Sequence, residues 1–127
     1  MSGIKFVLDT NAVYFLFQGK LKETKIISDL KTISISIITE LEYLSNKELT
    51  AKDKSLFEDL KAEIIVKYIT DKDVNLLNRI ILIRKKYKLK LPDAIIAATT
   101  MENNATLISS DAAFSKIFNL KFILIKP

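Results

Sequence analysis

The chain has 127 residues and a net charge of +5; 49% of its residues are apolar, and it holds only two glycines and two prolines. That is enough for one compact domain with a sizeable core, and it excludes a loop-rich or disordered chain. Cysteine and histidine are both absent, which excludes disulfides, thiolate metal sites and serine, cysteine or zinc chemistry built on imidazole. Any acid–base or metal work falls to carboxylates. The positive charge suits a polyanion such as nucleic acid as a partner. No apolar run approaches a membrane span and the start, MSGIKF, lacks a secretion signal. A cytoplasmic protein without membrane contact is expected.

Ile4–Leu8 reads as a strand whose unbroken apolar run suits burial on both faces, and it runs straight into Asp9-Thr10-Asn11. Asn11–Phe17 carries Val13, Phe15, Leu16 and Phe17 on a wide stripe and is expected to be a short helix ended by Gly19. Leu21–Leu30 reads as a second helix with Ile26, Ile27 and Leu30 inward. Thr32–Ile38 is β-branched and reads as the second strand. A helix is expected from Thr39, with Glu40 in its first turn and Leu41 and Leu44 facing the core.

Thr50–Ala62 reads as a helix burying Leu56, Phe57 and Leu60, and Glu63–Ile69 as the third strand. A long helix is expected from Asp71 to about Tyr87, carrying Val74, Leu77, Ile81 and Ile83 among its apolar residues. Its end is basic, as a helix C-terminus favours. Leu91-Pro92-Asp93 restarts a helix with proline near its first position, and its small residues let it lie close to a sheet. Thr106–Ser109 reads as the fourth strand, Asp111 as the cap of a short helix with Phe114 and Ile117, and Lys121–Ile125 as the last strand. Such alternation implies an α/β fold with a parallel sheet covered on both faces.

Asp9, Glu40 and Asp111 follow strands, and all exits of a parallel sheet share one edge. Asp93 joins them if its helix starts at that edge. Each acid alone also fits an ordinary role as a cap or first-turn residue. As a set they mean more. Two carboxylates about 4 Å apart repel by roughly 4 kcal/mol at an effective dielectric near 20. Several together need a counter-charge, and without histidine or cysteine a hard divalent cation with oxygen ligands is the remedy. Metal-assisted hydrolysis of phosphodiester bonds is the chemistry that follows.

These residues resemble the PIN-domain family. Asp9-Thr10-Asn11 resembles its first motif, Ser36 with Glu40 in SIITELEYL the second, Leu91-Pro92-Asp93-Ala94 the third and Ser109-Ser110-Asp111 the fourth. The resemblance implies a three-layer α/β/α sandwich over residues 1–127, with a five-stranded parallel sheet of order 3-2-1-4-5. It implies a Mg²⁺- or Mn²⁺-dependent ribonuclease with Asp9, Glu40, Asp93 and Asp111 as metal-binding, catalytic acids. Asn11 and Ser109 would be polar supports. The short chain is similar to VapC-type toxins of toxin–antitoxin pairs. That implies RNA as substrate, a small antitoxin over the first helices near Tyr14, Phe15 and Phe17, and a possible homodimer. Arg84, Lys85 and Lys86, just before Asp93, could hold RNA phosphates or simply be a solvated helix end. The alternatives are a non-catalytic RNA- or protein-binding module, a housekeeping RNA-processing nuclease, or phosphoryl transfer through an aspartyl-phosphate.

Overall fold

A computed structural model describes residues 4–21 and 29–126. Five strands form one parallel sheet: β1 (Phe6–Leu8), β2 (Ile33–Ser36), β3 (Ile65–Lys67), β4 (Thr106–Ser109) and β5 (Phe122–Leu124). Their order is β3-β2-β1-β4-β5, as the family resemblance implies. Around the sheet lie α1 (Thr10–Phe17), α2 (Ile37–Leu44), α3 (Ala51–Lys61), α4 (Val74–Tyr87) and α5 (Leu91–Glu102). Short 3₁₀ turns at Leu30–Thr32 and Ala112–Lys116 precede β2 and follow β4. The expected helix Leu21–Leu30, with Ile26 and Ile27, falls largely outside the described residues. Among the described residues no helix is long and apolar enough to cross a membrane.

Alternation along the strands builds the three layers. Phe6 and Leu8 of β1 and Ile108 of β4 point into one core, together with Val13, Ile33, Ile35, Tyr43 and Phe57. Val7 and Leu107 point into the other, beneath Ile80, Ile83 and the small residues Ala94, Ala97 and Ala98. The paired register Val7↔Leu107 and Leu8↔Ile108 sets the exits of β1 and β4 side by side. Alanines along α5 let it press on the sheet, and this seats the helix that begins with Leu91 and carries Asp93.

The largest departure from the sequence expectation is the phase of α2. Ser36 caps the helix, its Oγ accepting from Ile38 N at 3.1 Å, so the helix begins at Ile37 rather than Thr39. Leu41 and Leu44, expected in the core, are 55% and 37% exposed. Thr39 and Tyr43, one turn apart, are buried in their place. The reason is an aromatic cluster. Tyr43 stacks on Phe57 with ring centroids 4.8 Å apart, lies 5.0 Å from Tyr14 and 5.8 Å from Phe17, and donates its hydroxyl to Asp53 O at 2.8 Å. An aromatic body in apolar company with its hydroxyl satisfied outweighs two leucines on the same short helix.

Helix α4 departs similarly. Thr70 N bonds to Asp73 Oδ2 at 2.8 Å, and the helix begins at Val74 instead of Asp71. Val74 and Ile81 are exposed; Ile80 takes the core position beside Ile83. The helix ends at Lys88, which adopts left-handed backbone with φ 55°, and Leu89 N closes the turn on Arg84 O at 3.2 Å.

Candidate active site

Asp9 leaves β1 as the cap of α1: Oδ1 accepts from Ala12 N at 2.9 Å. Its other oxygen, Oδ2, accepts a short hydrogen bond from Ser109 on the neighbouring strand. Ser109 Oγ in turn accepts from Asp111 N at 3.0 Å. Asp111 Oδ1 caps the following 3₁₀ turn by accepting from Ala113 N at 2.9 Å. The expected capping roles are therefore real for both acids, and they fix the direction of each carboxylate. Asn11 Nδ2 reaches Ser110 Oγ at 3.5 Å, a long contact between the same two strand exits.

These exits frame a cavity of about 280 Å³ lined by Asp9, Thr10, Asn11, Glu42, Asp93, Ile96, Asp111 and Phe114. Asp9, Asp93 and Asp111 thus meet, as the topology requires. Ser109 stands behind them, fully buried. Arg84, Lys85 and Lys86 are exposed at the end of α4 and do not line the cavity.

Glu40 does not join them. It bonds to Lys61 of α3, with Nζ 3.0 Å from Oε1, and the acid that lines the cavity is Glu42. This corrects the placement expected from SIITELEYL, and the cause is the rotated helix. Thr39 faces the β1 exit, its hydroxyl 3.4 Å from Leu8 O, and Glu42 lies one turn further along that side. Thr10 then donates its hydroxyl to Glu42 Oε1 at 2.6 Å. Neither Glu42 nor Thr10 was expected in the site. Setting Thr39 against the β1 exit and counting one turn on from it, to the residue at i+3, would have found Glu42.

Burial and neighbouring carboxylates act together on two of these acids. Burial pushes the Asp9 carboxyl above its ordinary value of 3.8; the bonds from Ser109 and Ala12 pull it down, and Asp111 and Asp93 push it up. Burial likewise raises Asp93, helped by Asp111 and Glu42 and opposed by Lys90. No described residue donates a hydrogen bond to the Asp93 side chain, so both its oxygens remain available. The donor set is all oxygen, the chemistry of Mg²⁺ or Mn²⁺. Among the described residues no three carboxylates close on a single point. A cation held here would take one or two of these carboxylates directly and keep much of its water shell.

A profile of the PIN domain matches residues 6–119. A comparison with curated proteins finds no match. Among solved structures, the chain is similar to one in a toxin–antitoxin complex from Klebsiella pneumoniae, 24% identical with a TM-score of 0.75, covering 94% of this chain and 96% of that one. It is similar to one in the VapBC2 structure from Rickettsia felis, bound to a DNA fragment from their promoter, 19% identical with a TM-score of 0.78, covering 97% and 100%. VapBC-1 from nontypeable Haemophilus influenzae matches at 19% identity and a TM-score of 0.75, covering 95% and 98%. At these identities the structures establish the shared fold.

Proposed function

We propose, from the premise that this chain belongs to the PIN domain family, that it is a Mg²⁺- or Mn²⁺-dependent endoribonuclease and the toxin of a type II toxin–antitoxin pair. The observation that carries this is the convergence of Asp9, Glu42, Asp93 and Asp111 on one cavity at the exit edge of the sheet. A bound divalent cation would supply charge stabilisation at the phosphate and a water that loses its proton readily enough to serve as the nucleophile toward phosphorus. Asp93, with both oxygens available, is the first candidate ligand. Asp9 is held by Ser109 and Ala12 so that its carboxylate keeps one direction. Asp111 and Glu42 complete the negative wall, orienting waters around the cation. Glu40, held by Lys61, is assigned no role in cleavage. Arg84, Lys85 and Lys86 hold phosphates of the strand outside the cavity.

The toxin assignment draws on the complexes in which similar chains are found. An antitoxin would meet the exposed Leu41 and Leu44 of α2 rather than Phe15 and Phe17, which pack against the core. A cytoplasmic location and a homodimer accord with the same reading. A second reading is a non-catalytic RNA- or protein-binding module. It is favoured by the capping bonds of Asp9 and Asp111, which give both acids a structural use. Purified protein incubated with RNA and Mn²⁺, beside an Asp93→Asn control, separates the two. Cleavage by the first preparation alone supports the nuclease. Equal products from both, or none from either, favours the binding module.

A further inference from the structure

Glu42 is exposed, carries three rotatable side-chain bonds, and shares its cavity with three other acids. Left alone, such a side chain spreads over many rotamers, and repulsion from Asp93 and its neighbours drives it toward water. The contact that opposes this is the hydrogen bond from Thr10 Oγ1 to Glu42 Oε1. At 2.6 Å it has the length expected of a hydroxyl donating to a carboxylate.

Thr10 is a rigid donor. Its β-branched side chain has few rotamers. It is the first residue of α1, directly after Asp9, whose side chain caps that helix. Its position relative to Asp9 is therefore set by the backbone. Thr39 ties the same helix to the same strand through Leu8 O. Helix α2 is thus fastened to the β1 exit at two points one turn apart, while the neighbouring acid, Glu40, is drawn off by Lys61.

We infer that Thr10 is a positioning residue that holds Glu42 in the acidic cavity, where its second carboxylate oxygen serves a divalent cation or a water bound to it. The inference rests on the proposed cation-dependent site. It extends the duty of the strand-end segment beyond Asp9 and Asn11 to the residue between them.

The test is a calorimetric titration of Mn²⁺ into the wild-type chain, Thr10→Val, Thr10→Ser, Glu42→Gln and the Thr10→Val/Glu42→Gln pair, with thermal melts of each. Valine keeps the shape of threonine and removes the donor. Thr10→Val should bind Mn²⁺ about tenfold more weakly with an unchanged melting temperature, the scale of one hydrogen bond to a charged group. Thr10→Ser should restore affinity. In the Glu42→Gln background, Thr10→Val should have little further effect. Wild-type affinity in Thr10→Val overturns the inference and leaves the nuclease reading standing. Failure of the wild-type chain to take up Mn²⁺ overturns both. If Thr10→Val does not fold, the comparison rests on Thr10→Ser and Glu42→Gln: serine at wild-type affinity with glutamine weakened supports the inference, and any other pattern overturns it.

Discussion

Ser109 donates its hydroxyl to Asp9 across a sequence separation of 100 residues, and both are buried. The bond exists because β1 and β4 are neighbours whose exits are level. It lowers the Asp9 carboxyl against the upward push of burial. Ser109→Ala should therefore raise the Asp9 pKa further, leaving less of it ionised at a given pH. The acid limb of a cleavage-rate profile should move to higher pH, and Ser109→Thr should leave it in place. A Ser109→Ala profile superimposed on the wild type would contradict this role.

Asp93 predicts a pH effect on stability. Its folded pKa lies above 3.8, raised by burial and by Asp111 and Glu42. A raised acid contributes stability that is fully present below its unfolded pKa and lost as pH rises through the folded value. Its place in the first turn of α5 favours charge, but burial and the like charges dominate. In chelator, Asp93→Asn should thus melt above the wild type at neutral pH, the difference vanishing below about pH 3.8. Added Mn²⁺ should stabilise the wild type and not the variant. Thermal melts across pH, with and without Mn²⁺, check both signs.

The phase of α2 has a packing test. Tyr43→Ala removes the ring at the centre of the aromatic cluster and should cost about 3–5 kcal/mol. Leu41→Ser, on the exposed face, should change stability by no more than about 0.5 kcal/mol. Denaturant melts of the two variants give the answer, and a reversed order would return the leucines to the core.

That helix marks the boundary of what the residues reveal in isolation. The strands were legible because their apolar runs are continuous and end in acids or turns, as at Leu8-Asp9 and Ser109–Asp111. Burial of β1 and β4 on both faces leaves no phase to choose there. In α2, Ile37, Ile38, Leu41, Tyr43 and Leu44 ring the helix, so no single stripe stands out. The choice was made by Phe57, Tyr14 and Phe17, contributed from α3 and α1. One error of phase thus misplaced Leu41, Leu44 and Glu40 together. Asp9, Asp93 and Asp111 escaped it because strand exits and a helix start place them, not the face of a helix.

Lys85 and Lys86, exposed beyond the cavity, provide a test of substrate binding. Replacing both with glutamate should weaken binding of a non-cleaved RNA. The slope of log affinity against log salt should fall by about one for each phosphate no longer neutralised by a lysine. Filter binding at several salt concentrations measures both. An unchanged slope would mark the pair as a solvated helix end.

The direct test of the whole account compares two glutamates on one helix. Glu40→Gln and Glu42→Gln are assayed for Mn²⁺-dependent RNA cleavage beside the wild type. The structure puts Glu42 with Asp9, Asp93 and Asp111, and pairs Glu40 with Lys61. Glu42→Gln should therefore lose at least about a hundredfold in rate, and Glu40→Gln should stay near wild type. Loss in Glu40→Gln with full activity in Glu42→Gln would contradict the site described.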